Sequence, residues 1–171
     1  EIIRLSDCVI DVLLDGHGNP IFTEDADMEI KTPANPSKKA TARVKNPLPA
    51  PTSCHLCSGS VRIGTHGEVY GRDFSDWPYV YLCECCGAYV GLHPFTAIPL
   101  GTLADKPTRD ARKNCKSPFE RIWKSGAMTR TEAYQWLAGK MGIPVHECHF
   151  GWFTVEQCQT AMHHCNDWLN R

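Results

Sequence analysis

The sequence has 171 residues and a net charge of −1, and 42% of its residues are hydrophobic. This length corresponds to about one or one and a half domains, and the apolar content excludes a wholly disordered chain. No run of 18 apolar residues occurs, so we expect no membrane-spanning helix and no membrane partner. No basic and then apolar leader is present, and we expect a cytoplasmic location in a bacterial or host cell.

Charge is divided unevenly along the chain. Residues 1–30 contain eight acidic residues and one basic residue, whereas residues 31–171 contain 17 basic and 11 acidic residues. Between positions 8 and 23, apolar runs flank a turn cluster at 16–20, which predicts a β-hairpin. We therefore predict an acidic β-hairpin arm over 1–30. Such an arm is suited to cover a basic surface of the same chain or to bind another protein.

The segment 31–53 differs in composition from both of its neighbours. It combines five prolines with five basic residues and has few apolar residues that could anchor a core. This composition predicts a basic, Pro-rich linker. It is either a solvated tether or an arm that lies along an anionic partner.

Residues 54–92 carry two pairs of cysteines with metal-ligand spacing. Cys54 and Cys57 form one pair, and Cys83 and Cys86 form the other, each with two intervening residues. Two such turns complete the four-thiolate tetrahedron that structural zinc favours and leave no open position for a substrate water. We predict a zinc ribbon with one structural Zn²⁺ and short strands at 60–64, 67–71, 79–83 and 88–91. The other reading of the cysteines is a disulfide-linked secreted module.

Glycines follow both cysteine pairs. Gly59 and Gly87 are expected to adopt the positive φ that such turns require, so that backbone N–H groups point at the thiolates. Cys85 lies between the two ligands of the second pair and is expected to be an unliganded neighbour.

From residue 93 onward the pattern is helical. A helix is predicted over 107–116, and a second, short helix is predicted from a capping box at Ser117 with proline at its first position. Further capping boxes at Thr129 and Thr154 predict two more helices, the first of which ends at Gly142. The last helix has an apolar stripe of Val155, Cys158, Met162, Cys165 and Leu169. The predicted fold is α+β: an N-terminal β-hairpin arm, the linker, and a four-cysteine zinc ribbon packed with a C-terminal helical subdomain over 93–171.

Several motifs resemble one known family. They are Cys83-x-x-Cys86-Gly87-Ala88-Tyr89-Val90-Gly91, His93-Pro94, Pro99-Leu100-Gly101-Thr102-Leu103-Ala104, Arg109-x-x-Arg112, Phe119-x-x-x-Trp123, Arg130-x-x-Ala133-Tyr134-x-Trp136-Leu137-Ala138 and Cys148-His149-Phe150-Gly151. Over about residues 54–165 the chain is similar to the "zinc-finger-containing" domain of bacteria and their phages. The resemblance implies zinc binding and an association with mobile elements, and it implies no established activity. Histidine is common in the family where this chain has Cys115.

A basic stretch runs from residue 106 to residue 130. Basic residues recur in it at helical spacing, which predicts a face that binds phosphates. The predicted nucleic-acid-binding residues are Arg109, Arg112, Lys113, Lys116, Arg121, Lys124 and Arg130. The alternatives to nucleic-acid binding are that this face is simply solvated, that it binds an acidic protein partner, or that it binds the chain's own acidic arm.

Four further Cys and His residues fall in the family-like motifs. His93, Cys115, Cys148 and His149 have the chemistry of a second zinc site, or of a catalytic group with a histidine base and a cysteine nucleophile. The structural reading is that Cys148 is buried and His149 bonds the backbone. No two of the four have a metal-ligand spacing, so one zinc per chain is expected.

The leading functional hypothesis is a zinc-stabilised nucleic-acid-binding or regulatory protein of a phage or bacterium. The absence of a known catalytic motif favours a binding protein over an enzyme. One alternative is an inhibitor of a host enzyme that acts through the acidic arm. The other is a metal-dependent nuclease that uses His93 and His149.

Overall fold

The computed structural model describes residues 16–18 and 30–171. Its helices are α1 Lys38–Arg43, α2 His66–Tyr70, α3 Lys106–Lys124, α4 Arg130–Met141 and α5 Val155–Leu169, and its strands are β1 Val61–Thr65, β2 Tyr79–Cys83 and β3 Tyr89–Gly91. Residues 16–18 form a turn, and the remainder of the predicted 8–23 hairpin lies outside the described residues. No helix in the described part of the chain is long and apolar enough to cross a membrane.

The three strands form one antiparallel sheet in the order β1-β2-β3. Val61 pairs with Cys83 and Thr65 with Tyr79, and on the other side of β2 Leu82 pairs with Tyr89. This sheet agrees with three of the four predicted strands. The cysteine pair before β1 and the cysteine pair at the end of β2 therefore lie at the same end of the sheet.

The predicted strand at 67–71 is wrong, because this segment forms the helix α2. Thr65 accepts a hydrogen bond from the backbone N–H of Glu68, and the Glu68 carboxylate accepts one from the backbone N–H of Thr65. This reciprocal cap satisfies two N–H groups that a new helix leaves free, and Gly71 ends the helix at a φ of 80°. Local capping therefore forms a helix where a strand is predicted.

The ribbon has a small core of its own. Trp77, Tyr81, Val90, Leu92 and Leu103 are buried together with the two buried cysteines of the pairs. The Trp77 indole N–H donates to the Thr96 carbonyl at 3.0 Å. So few buried side chains give a domain of this size little stability by themselves.

The C-terminal half is a bundle of α3, α4 and α5 joined by two 3-10 turns, Val145–Glu147 and Phe150–Trp152. Its core includes Phe119, Ile122, Leu137 and Phe153, each at most 1% exposed. The mixed architecture of a small antiparallel sheet and a helical region confirms the predicted α+β fold.

One helix replaces the two that the sequence predicted between 107 and 125. α3 continues through Pro118, which is buried inside it. A proline in a helix removes one backbone hydrogen bond and strains the preceding turn. The continuous helix places Cys115, Phe119 and Ile122 on the same core, and this burial outweighs the lost bond.

The boundaries of the last two helices agree with the predictions. Capping boxes at Thr129 and Thr154 begin α4 and α5, and Gly142 ends α4 with a φ of 67°. In α5 the buried residues are Cys158, Ala161 and Cys165. The predicted apolar stripe thus faces the bundle core.

The predicted linker contacts the ribbon at two points. The backbone N–H of Ser37, which also caps α1, donates to the Phe95 carbonyl at 2.9 Å. Near the other end, the backbone N–H of Val61 donates to the Thr52 carbonyl at 3.3 Å. These bonds hold both ends of the segment against the sheet region. The division of the chain into arm, linker, ribbon and helical subdomain stays a prediction.

The segment 101–105 joins the ribbon to the bundle, and we call it the junction segment. Gly101 lies directly against Gly151, and the backbone N–H of Thr102 donates to the Gly151 carbonyl at 3.0 Å. Ala104 exchanges two backbone hydrogen bonds with Tyr89 of β3. The same short segment therefore pairs with the sheet and with the turn that precedes α5.

Candidate metal centre and basic surface

The two cysteine pairs meet at one end of the sheet. Sγ of Cys54 lies 3.7 Å from Sγ of Cys86, and Sγ of Cys57 lies 3.4 Å from Sγ of Cys83. All four sulfur atoms lie within 4.8 Å of one another. A tetrahedral zinc ion with Zn–S bonds of about 2.3 Å separates its sulfurs by about 3.8 Å. The four thiols therefore fit one structural zinc.

The turns that carry the cysteines differ in how they use glycine. Gly87 has the expected positive φ of 75°, but the prediction for Gly59 is wrong, because the positive φ in the first turn belongs to Ser58 at 63°. A side chain at Gly59 would lie 2.7 Å from the Cys85 side chain and 3.1 Å from Sγ of Cys83. Glycine is needed at position 59 because the two turns approach each other closely there.

Backbone N–H groups point at the sulfur atoms. The N–H of Gly59 donates to Sγ of Cys57 at 3.4 Å, and the N–H of Cys86 donates to Sγ of Cys83 at 3.5 Å. The bond from Cys86 is the main reason that the pKa of the Cys83 thiol is lowered to about 6. A lowered pKa favours the thiolate, which is the form of cysteine that binds zinc.

The other described cysteines are not among the four clustered sulfurs. Cys85 is exposed and is not one of the four clustered sulfurs. Cys115, Cys148, Cys158 and Cys165 are all buried in the helical core. Burial raises the pKa of Cys148 to about 11 and that of Cys165 to about 12, which keeps both as neutral thiols that pack like small apolar side chains.

The ligand atoms of the four residues predicted as a second site do not come together in one group. Cys115 and Cys148 belong to the bundle core, whereas His93 follows β3 and is only half-buried. Burial and then the nearby His149 lower the pKa of His93, so the two histidines are neighbours. His149 stacks on Trp152 with ring centroids 4.3 Å apart. Within 16–18 and 30–171, only the Cys54, Cys57, Cys83 and Cys86 group brings three or more metal-ligand atoms together.

The predicted nucleic-acid-binding residues occupy two different environments. Arg112 is turned inward: Nε donates to the Phe153 carbonyl at 2.9 Å and Nη1 to the Thr102 carbonyl at 3.0 Å. Arg109 is half-buried and donates to the Ala104 carbonyl at 2.7 Å. Arg112 thus fastens α3 to the junction segment, which its position on a basic stretch did not indicate.

The other basic residues of α3, apart from the half-buried Arg109, are exposed. Six basic residues and two acidic ones lie on the side of the helix opposite to its buried residues, and we call this side the basic face: Lys106, Arg109, Lys113, Lys116, Arg121 and Lys124, with Asp110 and Glu120. Lys106 pairs with Asp110 and Lys124 with Glu120, both at the surface. Arg130 begins the next helix, and its guanidinium lies 5.9 Å from the Trp123 ring centroid.

An exposed group of aromatic rings was not predicted from the sequence. Phe74, Tyr70 and Tyr89 follow one another edge to face, with ring centroids 5.3 Å and 5.6 Å apart. The Arg109 guanidinium lies over the Tyr89 ring at 4.2 Å. Tyr70 and Phe74 are near in sequence, but Tyr89 is distant from both, and only the folding of α2 beside β3 brings its ring against Tyr70. We call them the aromatic ladder.

These observations define a small zinc-stabilised α+β protein. The model of a family described as a zinc-finger-containing domain matches residues 50–168, and the chain belongs to this family. The match confirms the resemblance inferred over about 54–165. Searches of curated proteins and of solved structures gave no match.

Proposed function

We propose that the protein is a nucleic-acid-binding or regulatory protein of a bacterium or phage, and that the basic face of α3 contacts the phosphates. Zinc stabilises the ribbon, and Cys54, Cys57, Cys83 and Cys86 are its proposed ligands. The single observation that carries the proposal is the basic face itself, which extends over a helix of 19 residues. At 1.5 Å per residue this face is about 28 Å long, enough to follow several phosphates.

The charge of the basic face is available for a partner. Lys113, Lys116 and Arg121 are exposed, and no ion pair is recorded for them in the described part of the chain. Exposed ion pairs such as Lys106 with Asp110 contribute little stability, so they exchange readily for contacts to phosphate. Release of condensed counterions from the nucleic acid then provides the driving force for binding.

The zinc centre has a structural part in this proposal. A four-thiolate site has no open coordination position, so it does not hold a substrate. The zinc centre fixes one end of the sheet. Tyr89 of β3 pairs with Ala104, which lies just before the N-terminus of α3, so the sheet in turn positions this helix. Asp105 caps that N-terminus by accepting from the backbone N–H of Thr108 at 3.0 Å.

The test measures binding of the zinc-loaded full chain to labelled DNA and RNA over a range of salt concentrations. We expect the logarithm of the affinity to fall linearly with the logarithm of salt. Lys113→Gln with Lys116→Gln should weaken binding to every sequence, and should reduce the slope by about 0.7–0.9 for each lost phosphate contact.

Lys140→Gln is the matched control, because Lys140 is an exposed lysine of α4 outside the basic face. It should leave both the affinity and the slope unchanged. Binding that does not depend on salt, or that falls equally in the control and in the double variant, would exclude the basic face as the binding surface.

A further inference from the structure

Two of the three rings of the aromatic ladder are exposed to solvent, whereas Tyr89 is partly buried. Phe74 is 56% exposed and Tyr70 is 48% exposed. Rings left in water lose most of the free energy that their burial would give, so core stability does not explain the cluster. Contiguous exposed aromatic surface on a small protein commonly marks a binding site.

Guanidinium groups flank the ladder at both ends. The Arg72 guanidinium lies over the Phe74 ring at 4.4 Å, and the Arg109 guanidinium lies over the Tyr89 ring at 4.2 Å. Beside these contacts, about half of the surface of Phe74 and Tyr70 stays exposed. Rings and guanidinium planes in alternation are the surfaces on which unpaired bases stack.

The ladder is continuous with the basic face of α3. Arg109 belongs to both, because it stacks on Tyr89 and lies on the same side of α3 as Lys113 and Lys116. Those two lysines follow it by four and seven residues, which places them about one and two helical turns further along the same face. A strand whose phosphates follow these lysines would therefore bring its bases to the rings.

The acidic residues near the ladder indicate on which side the phosphates run. Asp73 and Asp76 are exposed in the loop that carries Phe74, whereas Glu68 is paired with Arg62 at 2.6 Å. The loop side carries these two acids with one base, Arg72, so phosphates are favoured on the α3 side, where basic residues predominate. Bases, which are uncharged, meet no such penalty on the rings.

We propose that the aromatic ladder is a base-stacking site that makes the protein prefer single-stranded nucleic acid over duplex. This inference rests on the proposed function, because the basic face supplies the phosphate contacts. Bases in a duplex are stacked on each other and cannot reach the rings, whereas bases of a single strand can. The preference should be tolerant of sequence, because every base has a face that can stack.

The experiment compares fluorescence anisotropy of labelled dodecamers of deoxythymidine and of uridine with that of a twelve-base-pair duplex, using the zinc-loaded full chain. We expect tighter binding of one or both single strands than of the duplex. Tyr70→Ala and Phe74→Ala should each weaken single-strand binding by about tenfold and leave duplex binding unchanged. Tyr70→Trp and Phe74→Trp, which keep a ring, should restore it.

Phe95→Leu is the matched control, because Phe95 is another exposed ring, 42% exposed, that lies outside the ladder. It should bind as the unaltered protein does, and zinc content and circular dichroism should show that all variants are folded. Equal binding by the alanine variants, while the Lys113 and Lys116 variant is weakened, would overturn the stacking site and leave the basic face standing. Absence of binding to all three oligonucleotides would overturn both proposals.

Discussion

Arg112 is predicted to act as a structural tie rather than as a phosphate contact. Its guanidinium donates to the carbonyls of Thr102 and Phe153 and to the Thr102 hydroxyl, so that one side chain joins α3 to the junction segment and to the residue before the α5 cap. Arg112→Met keeps most of the aliphatic stem and removes all three bonds. It leaves two partly buried carbonyl oxygens without these donors.

The size of the expected destabilisation follows from the two carbonyl oxygens that lose their donors. A buried acceptor that loses its partner costs about 1–3 kcal/mol. Part of this cost is offset, because burial of the charged guanidinium is itself unfavourable and lowers the pKa of Arg112. We expect Arg112→Met to lower the free energy of unfolding by about 2–3 kcal/mol.

Urea unfolding of the zinc-loaded protein, followed by tryptophan fluorescence, measures this loss. Lys113→Met is the control, because Lys113 is the next residue, carries the same charge and is exposed. This substitution should change the free energy of unfolding by less than about 0.5 kcal/mol. At temperatures where both variants are folded, Lys113→Met should weaken nucleic-acid binding and Arg112→Met should not. Equal stability of the two variants, or loss of binding in Arg112→Met alone, would refute the assignment.

The remaining predictions concern the junction, the metal and a helix cap. Gly101→Ala should destabilise the protein by about 3 kcal/mol or more in the same urea assay, because a methyl group at position 101 would overlap the Gly151 carbonyl; an unchanged midpoint would contradict the close contact. Elemental analysis should give one zinc per chain, unchanged in His149→Ala, and a ratio near two that falls to one in this variant would establish a second site. Chelation should unfold the ribbon and Cys54→Ser should lower the melting temperature sharply, whereas retained sheet structure without metal would argue against a structural zinc. Thr154→Ala should cost about 1 kcal/mol through loss of the α5 cap, and Thr160→Ala, on the exposed side of the same helix, is the control for it.

Much of the fold is predictable from the sequence because its signals are local. The cysteine spacing indicates two metal-binding turns without knowledge of the rest of the chain. The capping boxes at Thr129 and Thr154 fix the starts of α4 and α5, because both hydrogen bonds of each box join residues three positions apart. These elements agree with the structure.

The wrong secondary-structure predictions have different physical causes. At 67–71 the prediction is a strand, but the cap between Thr65 and Glu68 forms a helix there. At Pro118 a capping pattern indicated a helix start, but burial of Phe119 and Ile122 on the same core keeps the helix continuous. The cap at Thr65 is itself a local signal, which the strand prediction passed over, whereas the burial that keeps α3 continuous is visible only when the tertiary neighbours are known.

The candidate surfaces were only partly predictable for the same reason. Helical spacing identified the basic face, but it could not separate Lys113, which is exposed, from Arg112, whose partners are 10 and 41 residues away. The aromatic ladder has no sequence signature at all, because Tyr70 and Phe74 meet Tyr89 only through the packing of α2 against the sheet. Long-range pairing of this kind requires the fold.

The junction segment has a thermodynamic consequence for metal binding. Leu103 is buried in the ribbon core while Thr102, its neighbour, accepts hydrogen bonds from Arg112 of the bundle, so the two halves share a few consecutive residues. When two regions share structure, the free energy of ordering one is coupled to the state of the other. A substitution deep in the bundle should therefore reduce the apparent affinity for zinc at a distance. Zinc affinity, measured by competition with a chromogenic chelator, then reports on the integrity of helices that do not touch the metal.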